Sequence, residues 1–391
     1  MSPQKFPTVP LWAAASLVRD SSDPSGRVLS MDGIESWTGQ LTGIESGSSA
    51  AGTPFHRGDV LFGKLRPYLA KSWLATEAGI AQGDIHVYRS SHCTVPEFLA
   101  YVVRSREFVR FANAASVGVK MPRVEWSKLC AFDIPLPDVP TQRRIADYLD
   151  RETAQIDAMS GALDGLVARL EERRSASIEI PFSNPAFIRA PLGALIKKME
   201  IGSNAVGDQL PAMEDQKGIL KTSAVSTGTF MPAENRVVTA NLETLRNHVR
   251  GNTLIVNRLN SPTYVGATCV PRMDYENLFL SDKLWELNLT ANPKYVSYWT
   301  KTSEYRRLVT EGTVGTSSSM LSLSYSRFCR FRIPLPALDL QRRIADHLDA
   351  ETAKIDAMIA KAGELRALLD ERRNALITAT VTGQHPVPEE F

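Results

Sequence analysis

The sequence predicts an α+β fold: two mixed α/β domains separated by two long antiparallel coiled-coil helices, built as a pseudo-twofold internal repeat. Three observations predict it. The stretch Ile134–Ile178 returns as Ile333–Ile377 at a constant offset of 199, with 27 of 45 positions identical and no gap. Each copy carries apolar residues at steps of three and four. The regions ahead of the two copies differ in sequence yet show the same order of strand, turn and helix signals. The implied boundaries are 1–134 and 181–333 for the domains, 135–180 and 334–382 for the helices, and 383–391 for a tail.

The first domain opens with loop-like sequence rich in Ser, Gly and Pro. Strand signals follow in GDVLFGKLRPYLAKSWLA, with Gly58-Asp59 as the turn, and in GDIHVYR after Gly83-Asp84. PEFLAYVVRSREFVRFA, from Pro96, reads as one amphipathic helix. A polar turn, NAASVGVKMPRVEW, precedes a strand in which Cys130, Phe132, Ile134 and Leu136 alternate on one buried face. The repeated helix then begins, with Asp138, Thr141 or Asp339 as N-caps. Its first copy buries Ile156, Met159, Leu163, Leu166 and Leu170, and its second Ile355, Met358, Ala362, Leu365, Leu369 and Leu376. From Thr141 to Ile178 it spans about 57 Å at about 1.5 Å per residue. Pro181 and Gly383 stop the copies, and Gly161, Gly165 and Gly363 allow local kinks.

The second domain repeats the order with different residues: RGNTLIVNRLNSPTYVGATCV, LFLSDKLWELNL, PKYVSYWTKTSEYRRLV and GTVGTSSSMLSLSY. Gly58 matches Gly251 at offset 193; Pro96, Tyr101, Glu107 and Arg110 match Pro293, Tyr298, Glu304 and Arg307 at offset 197. Insertions therefore fall in loops.

The formal net charge of +2 divides unevenly: residues 1–133 and 179–332 sum to +7, and residues 134–178 and 333–391, which hold the helices, to −5. That split suits domains facing a polyanion and helices facing protein. The four cysteines form no CxxC pair and no zinc spacing, and no signal peptide or long apolar run is present, so a reduced cytoplasm is the expected location. There is no GxxxxGK[ST] phosphate loop, and the six histidines assemble no Ser/His/Asp set. SNPAF, at Ser183–Phe187, approaches the Asn-Pro-Pro-aromatic motif of amino-methyltransferases but has Ala186 in place of the second proline. EDQK (Glu214–Lys217) and SDK (Ser281–Lys283) are short acidic–lysine strings that read as turns.

Taken together, IPLP-x(4)-QRRIA twice, the ending ERRNALITATVTGQ, and the strand–loop segments GDVLFGKLRPYLAK and VNRLNSPTYVG resemble the specificity (S) subunit of type I restriction–modification enzymes over essentially the whole chain. The resemblance implies a non-catalytic subunit whose two target-recognition domains each read half of a split, asymmetric DNA site. It implies that the helices set the spacing and dock two modification subunits, which methylate adenine with S-adenosylmethionine. Restriction subunits would add ATP- and Mg-dependent translocation and cleavage, leaving this chain without a cofactor, metal or membrane of its own. The alternatives are a specificity subunit of another DNA-modifying defence complex and a coiled-coil scaffold without DNA contact.

Base readout needs Arg or Lys toward guanine and Asn or Gln toward adenine. The candidates lie where the equivalent domains differ: Lys64, Arg66, Tyr68, Lys71, Lys120 and Arg123 in the first, and Arg258, Asn260, Ser261, Tyr264, Thr316, Ser317 and Ser319 in the second. Gly312 and Gly315 would let backbone approach phosphates there. The competing reading of each residue is a solvated charge or a turn former. On the helices, Gln142, Arg143 and Arg144 recur as Gln341, Arg342 and Arg343, and Glu152 and Asp157 as Glu351 and Asp356. Polar identity between copies suggests the same surface offered to two identical partners, against a reading as solvating pairs such as Arg143–Asp147.

Overall fold

The computed structural model describes residues 6–21, 27–43, 45–46, 51–205, 207–240, 242–317 and 320–388. The chain divides into two compact units, one of residues 1–165 with 362–391 and one of 166–361. Both divisions fall inside a long helix, Val139–Phe182 or Leu338–Val381. Each unit thus owns one lobe, the opening turns of one long helix and the closing turns of the other.

In the first lobe an antiparallel sheet runs in the order Ala15–Leu17, Ile85–Ser90, Val60–Gly63, Ser72–Leu74. Its central strand is buried on both faces, which is why VLF is an unbroken apolar run. Val60 and Phe62 join Tyr88, Phe98, Leu99 and Phe108 in one core, which also takes Ile145, Leu149, Ile377 and Val381 from the long helices. Leu61 and Val87 point the other way, into a core with Leu29, Phe55 and Trp73. That second core lies beside a smaller sheet in which Arg27–Leu29 runs parallel to Gly79–Ala81.

The second lobe repeats the plan. Its sheet runs Ile196–Ile201, Leu284–Leu289, Leu254–Asn257, Thr268–Cys269. Leu254 and Val256 enter one core with Trp285 and Leu287, and Ile255 the other with Leu280 and Leu284. Here too the smaller sheet has one parallel pair, Gly218–Leu220 with Tyr275–Phe279.

Three expectations are corrected. The helix from Pro96 is two helices, Pro96–Arg104 and Arg106–Ala114. Ser105 breaks it: its Oγ accepts from Phe108 N at 3.3 Å and donates to the Val102 carbonyl at 2.7 Å. Thr302 makes the same break in the second lobe, accepting from Tyr305 N and donating to the Trp299 carbonyl. The strand ending in IPLP is only Asp133–Pro135, paired with Thr8–Pro10, while Cys130 sits at the C-terminal end of the short helix Trp126–Leu129. The helix stripe also shifts. Met159, Leu166, Met358 and Leu365 are exposed. The inward line is Leu149, Thr153, Ile156, Ser160, Leu163, Val167 and Leu170, stepping by four and three. Thr153 and Ser160 hid it from a count of apolar residues; Thr153 is satisfied by donating to the Leu149 carbonyl at 2.7 Å.

Asp138 is the N-cap of the first helix, its Oδ1 accepting from Thr141 N at 2.8 Å. Asp339 instead lies inside the first turn of the second helix, where it pairs with Arg342 at 3.3 Å. The first helix runs through Pro181 to Phe182, and the second ends at Val381, two residues before Gly383 at φ 76°.

Buried glutamines fasten each helix to its lobe. Gln142 donates to the carbonyls of Pro137 (2.8 Å) and Cys93 (2.9 Å) and accepts from Val95 N at 2.8 Å. Gln341 donates to the Pro336 carbonyl at 2.8 Å and accepts from Asn292 N at 2.9 Å. One helical hand's breadth further on, the Tyr101 hydroxyl donates to Asp150 (2.6 Å) beside Thr153, as Tyr298 does to Asp349 (2.7 Å) beside Thr352.

The helix segments within each unit are joined by matching ion pairs. Arg373 meets Asp157 and Arg372 meets Glu152 in one unit; Arg174 meets Asp356 and Arg173 meets Glu351 in the other. Asp164–Arg366 gives the antiparallel sense in the first unit.

The three helical glycines face open space, since an added Cβ at Gly161, Gly165 or Gly363 would meet nothing within 4 Å. Each Gly→Ala variant should therefore gain about 0.5–1 kcal/mol in urea unfolding. Gln142→Ala should lose about 1–3 kcal/mol in the same measurement, because it strands a buried N–H and two carbonyls.

Candidate nucleic-acid interface

In both lobes the central strand runs straight into a loop that is backbone-paired to the polar turn ahead of the long helix. In the first, Lys64 N donates to the Asp84 carbonyl (2.9 Å) and Val124 N to the Lys64 carbonyl (3.0 Å). Leu65 bridges Arg123, and Val117 pairs with Arg123 in turn. In the second, Arg258 N donates to the Lys283 carbonyl (3.0 Å) and Leu323 N to the Arg258 carbonyl (2.9 Å). Leu259–Asn260 then pairs with Met320–Leu323, which pairs with Thr313–Ser317. The two platforms are the same construction, and Arg258 is the counterpart of Lys64.

The side chains differ in how free they are. Tyr68 and Tyr264 are exposed at matching loop tips, and Lys120 is exposed. Arg66 holds a left-handed conformation, φ 50°, with its N–H donating to the Pro122 carbonyl at 2.7 Å and its Nε buried without a hydrogen-bond partner among the described residues. Arg123 is half in solvent and paired with Asp84 at 2.8 Å. Ser261 accepts the N–H groups of Tyr264 and Val265 through its carbonyl, and the Asn260 Oδ1 accepts Ser261 N at 2.8 Å, so both shape the turn. Thr316 and Ser317 lie on the hairpin strand, and Ser319 lies outside the described residues.

Two candidates are drawn inward. The Lys71 ammonium donates to the Met31 carbonyl at 2.7 Å and is largely buried, so it braces the loop. The Arg258 guanidinium donates to the Asp282 carbonyl at 2.9 Å and lies 5.9 Å from the Trp285 ring centre. On the helices, Gln142 and Gln341 are buried and consumed by the contacts above, which removes them from any outer surface. Arg143, Arg144, Arg342 and Arg343 remain exposed. The repeated acids Glu152, Asp157, Glu351 and Asp356 are engaged by arginines of the same chain, which accounts for their identity between copies.

Beside each platform is a polar recess. In the first lobe Arg19, Lys64, His86, Glu125 and Trp126 line one of about 690 Å³. In the second, Lys221, Arg236, Asp282 and Lys283 line one of about 470 Å³. Lys221 and Arg236, 15 residues apart, carry no local pattern in the sequence, and Lys283 stands out there only in the SDK string that reads as a turn. SNPAF is the turn leaving the first helix: Ser183 Oγ donates to the Glu179 carbonyl and Ala186 N to Asn184 Oδ1. Among the described residues no three His, Cys, Asp or Glu side chains form a metal-binding group, and no helix is long and apolar enough to cross a membrane. The arrangement offers hydrogen-bonding and cationic side chains on paired loops, the chemistry of phosphate and base-edge contact.

His86 sits under the first platform, its Nδ1 3.1 Å from the Tyr88 hydroxyl. Burial, then the nearby Lys64 charge, lowers its pKa to about 4. Unfolded, it titrates near 6.5, so between about pH 6.5 and 4 the unfolded chain takes up a proton that the native one refuses. Stability should fall across that window by about 2–3 kcal/mol on account of this residue. Denaturant titrations of wild type and His86→Gln at pH 7 and pH 4.5 check this: the variant should lose less on acidification.

No protein-family model matches the chain. It is 28% identical over 141 residues to the EcoDI type I restriction enzyme specificity subunit of Escherichia coli, covering 35% of this chain and 31% of that protein. It is 20% identical over 302 residues to the EcoKI specificity subunit of Escherichia coli K12, covering 73% and 65%. The chain thus spans about a third of the first relative's length and just under two thirds of the second's. Among solved structures, a chain from a study of complex assembly and conformational transition in the type I R-M system superposes with TM-score 0.78 at 18% identity, covering 97% of this chain and 98% of the other. The HsdS subunit from Thermoanaerobacter tengcongensis gives 0.56 at 18%, covering 98% of each. The chain has the fold of these structures.

Proposed function

We propose that this chain is a type I restriction–modification specificity subunit, a non-catalytic DNA-recognition protein whose lobes each read half of a bipartite, asymmetric site. The observation that carries the reading is the pair of platforms: one backbone construction, Lys64–Arg123 and Arg258–Ser322, presenting unlike side chains. A protein reading a palindrome would present the same side chains twice. The similarity to the EcoDI and EcoKI specificity subunits supports the same reading. Catalysis, with S-adenosylmethionine, ATP and Mg, then belongs to modification and restriction subunits.

Tyr68, Lys64, Arg66, Lys120 and Arg123 serve the first half-site; Tyr264, Asn260 and the strands Thr313–Ser317 and Met320–Leu323 serve the second, with Lys283 on phosphates, while Lys221 and Arg236 are held by the carbonyls of Gln209 and Ala205. Modification subunits dock on the outward helix surfaces. Those surfaces carry Arg143 and Arg144 or Arg342 and Arg343 and, at repeat-equivalent positions, exposed Met159 and Met358, Leu166 and Leu365. Exposed apolar residues recurring in both copies suit two identical partners.

Methylome sequencing of cells expressing the chain with its modification subunits should return a split, non-palindromic motif. A palindromic motif, or none, overturns the reading. Four extra residues in each long helix should change the spacer and leave both half-site sequences as they were.

A further inference from the structure

The turn of the first lobe ends in an apolar tip that none of the described residues covers. Val119 is fully exposed, Val117 is 77% exposed and Met121 53%. Single exposed apolar residues are common on protein surfaces, but three within five residues of one short loop are not explained by that. The tip is also held firmly. Val117 N and the Arg123 carbonyl lie 2.8 Å apart and the reciprocal pair 3.0 Å apart, so residues 118–122 form a closed loop. Gly118, at φ 111°, makes the turn possible. The Pro122 carbonyl accepts Arg66 N, which fixes the tip to the segment bearing Lys64 and Arg66. Lys120 and Arg123 flank the apolar groups.

The second lobe has a different sequence in this turn. In the second lobe the residue that pairs with Ser322, as Val117 pairs with Arg123, is Val314, and the sequence after it is GTSSSM where GVKMP follows Val117. The two lobes therefore differ in the kind of contact they can make as well as in its position. An apolar side chain framed by cations matches one feature of a DNA major groove, the 5-methyl group of thymine, which sits among hydrogen-bonding edges and beside phosphates. We infer that Val119 and Met121 contact a thymine methyl group in the half-site read by the first lobe, an inference that rests on the DNA-reading function proposed above.

The test uses the full chain in its assembly with modification subunits and duplexes carrying its methylated motif. Each thymine of the first half-site is replaced in turn by deoxyuridine, which removes only the methyl group. Wild type should bind one such duplex five- to tenfold more weakly. The Val119→Ser/Met121→Ser variant should bind the thymine and deoxyuridine duplexes equally and keep wild-type selectivity in the second half-site. Its melting temperature should match wild type, since both side chains lie in solvent. Wild type indifferent to deoxyuridine throughout the first half-site, or having no thymine there, overturns the inference. So does a variant that still discriminates, or one weakened alike on every sequence. Absence of any sequence-selective binding by wild type instead removes the DNA-reading function itself.

Discussion

The structure depends on burying one glutamine at the root of each long helix. Gln142 and Gln341 satisfy backbone groups just ahead of Pro96 and Pro293, where the lobe helices begin. A buried amide pays its desolvation only when its hydrogen bonds are made, so the position of each lobe on its helix is tightly specified. The tyrosine–aspartate contacts eight residues, just over two turns, further along, Tyr101–Asp150 and Tyr298–Asp349, repeat the constraint. With these fixed, the strand that precedes each platform loop is fixed too, and the loops can vary without disturbing the frame.

That division of labour explains where the two copies agree and where they differ. Identity is concentrated in groups that work inside the chain: the glutamines, the threonines Thr153 and Thr352, and the acids that pair across the helices. Difference is concentrated on the platforms. Lys64 stands where Arg258 stands, but His86 beneath it is replaced by Trp285, so one lobe sets an imidazole under its lysine where the other sets an indole 5.9 Å from a guanidinium. The same backbone thus carries two chemical environments, in keeping with the unlike half-sites proposed above.

The helix surfaces show a second economy. The inward line uses small polar residues such as Thr153 and Ser160 between larger apolar ones, and it leaves methionines and leucines facing outward at equivalent positions of both copies. Covering those groups is the role proposed above for the modification subunits.

The sequence by itself determined the repeat, the two long helices, the central strands after Gly58 and Gly251, and the equivalence of the lobes, because period and offset survive without coordinates. It also located the loops that carry the candidate contacts. Only the tertiary structure decided which side chains are free. Lys71 and Arg258 look like available cations in the sequence, yet both are spent on carbonyls, at Met31 and Asp282, that are distant along the chain. Gln142 looks like a surface residue because it is polar and followed by two arginines, and it is buried because three backbone groups await it. Lys221, Arg236 and Lys283 meet at one recess only after the sheet has formed. Local pattern records what a residue does within its own element; which groups it meets across elements is set by packing, and that is where the candidate site is made.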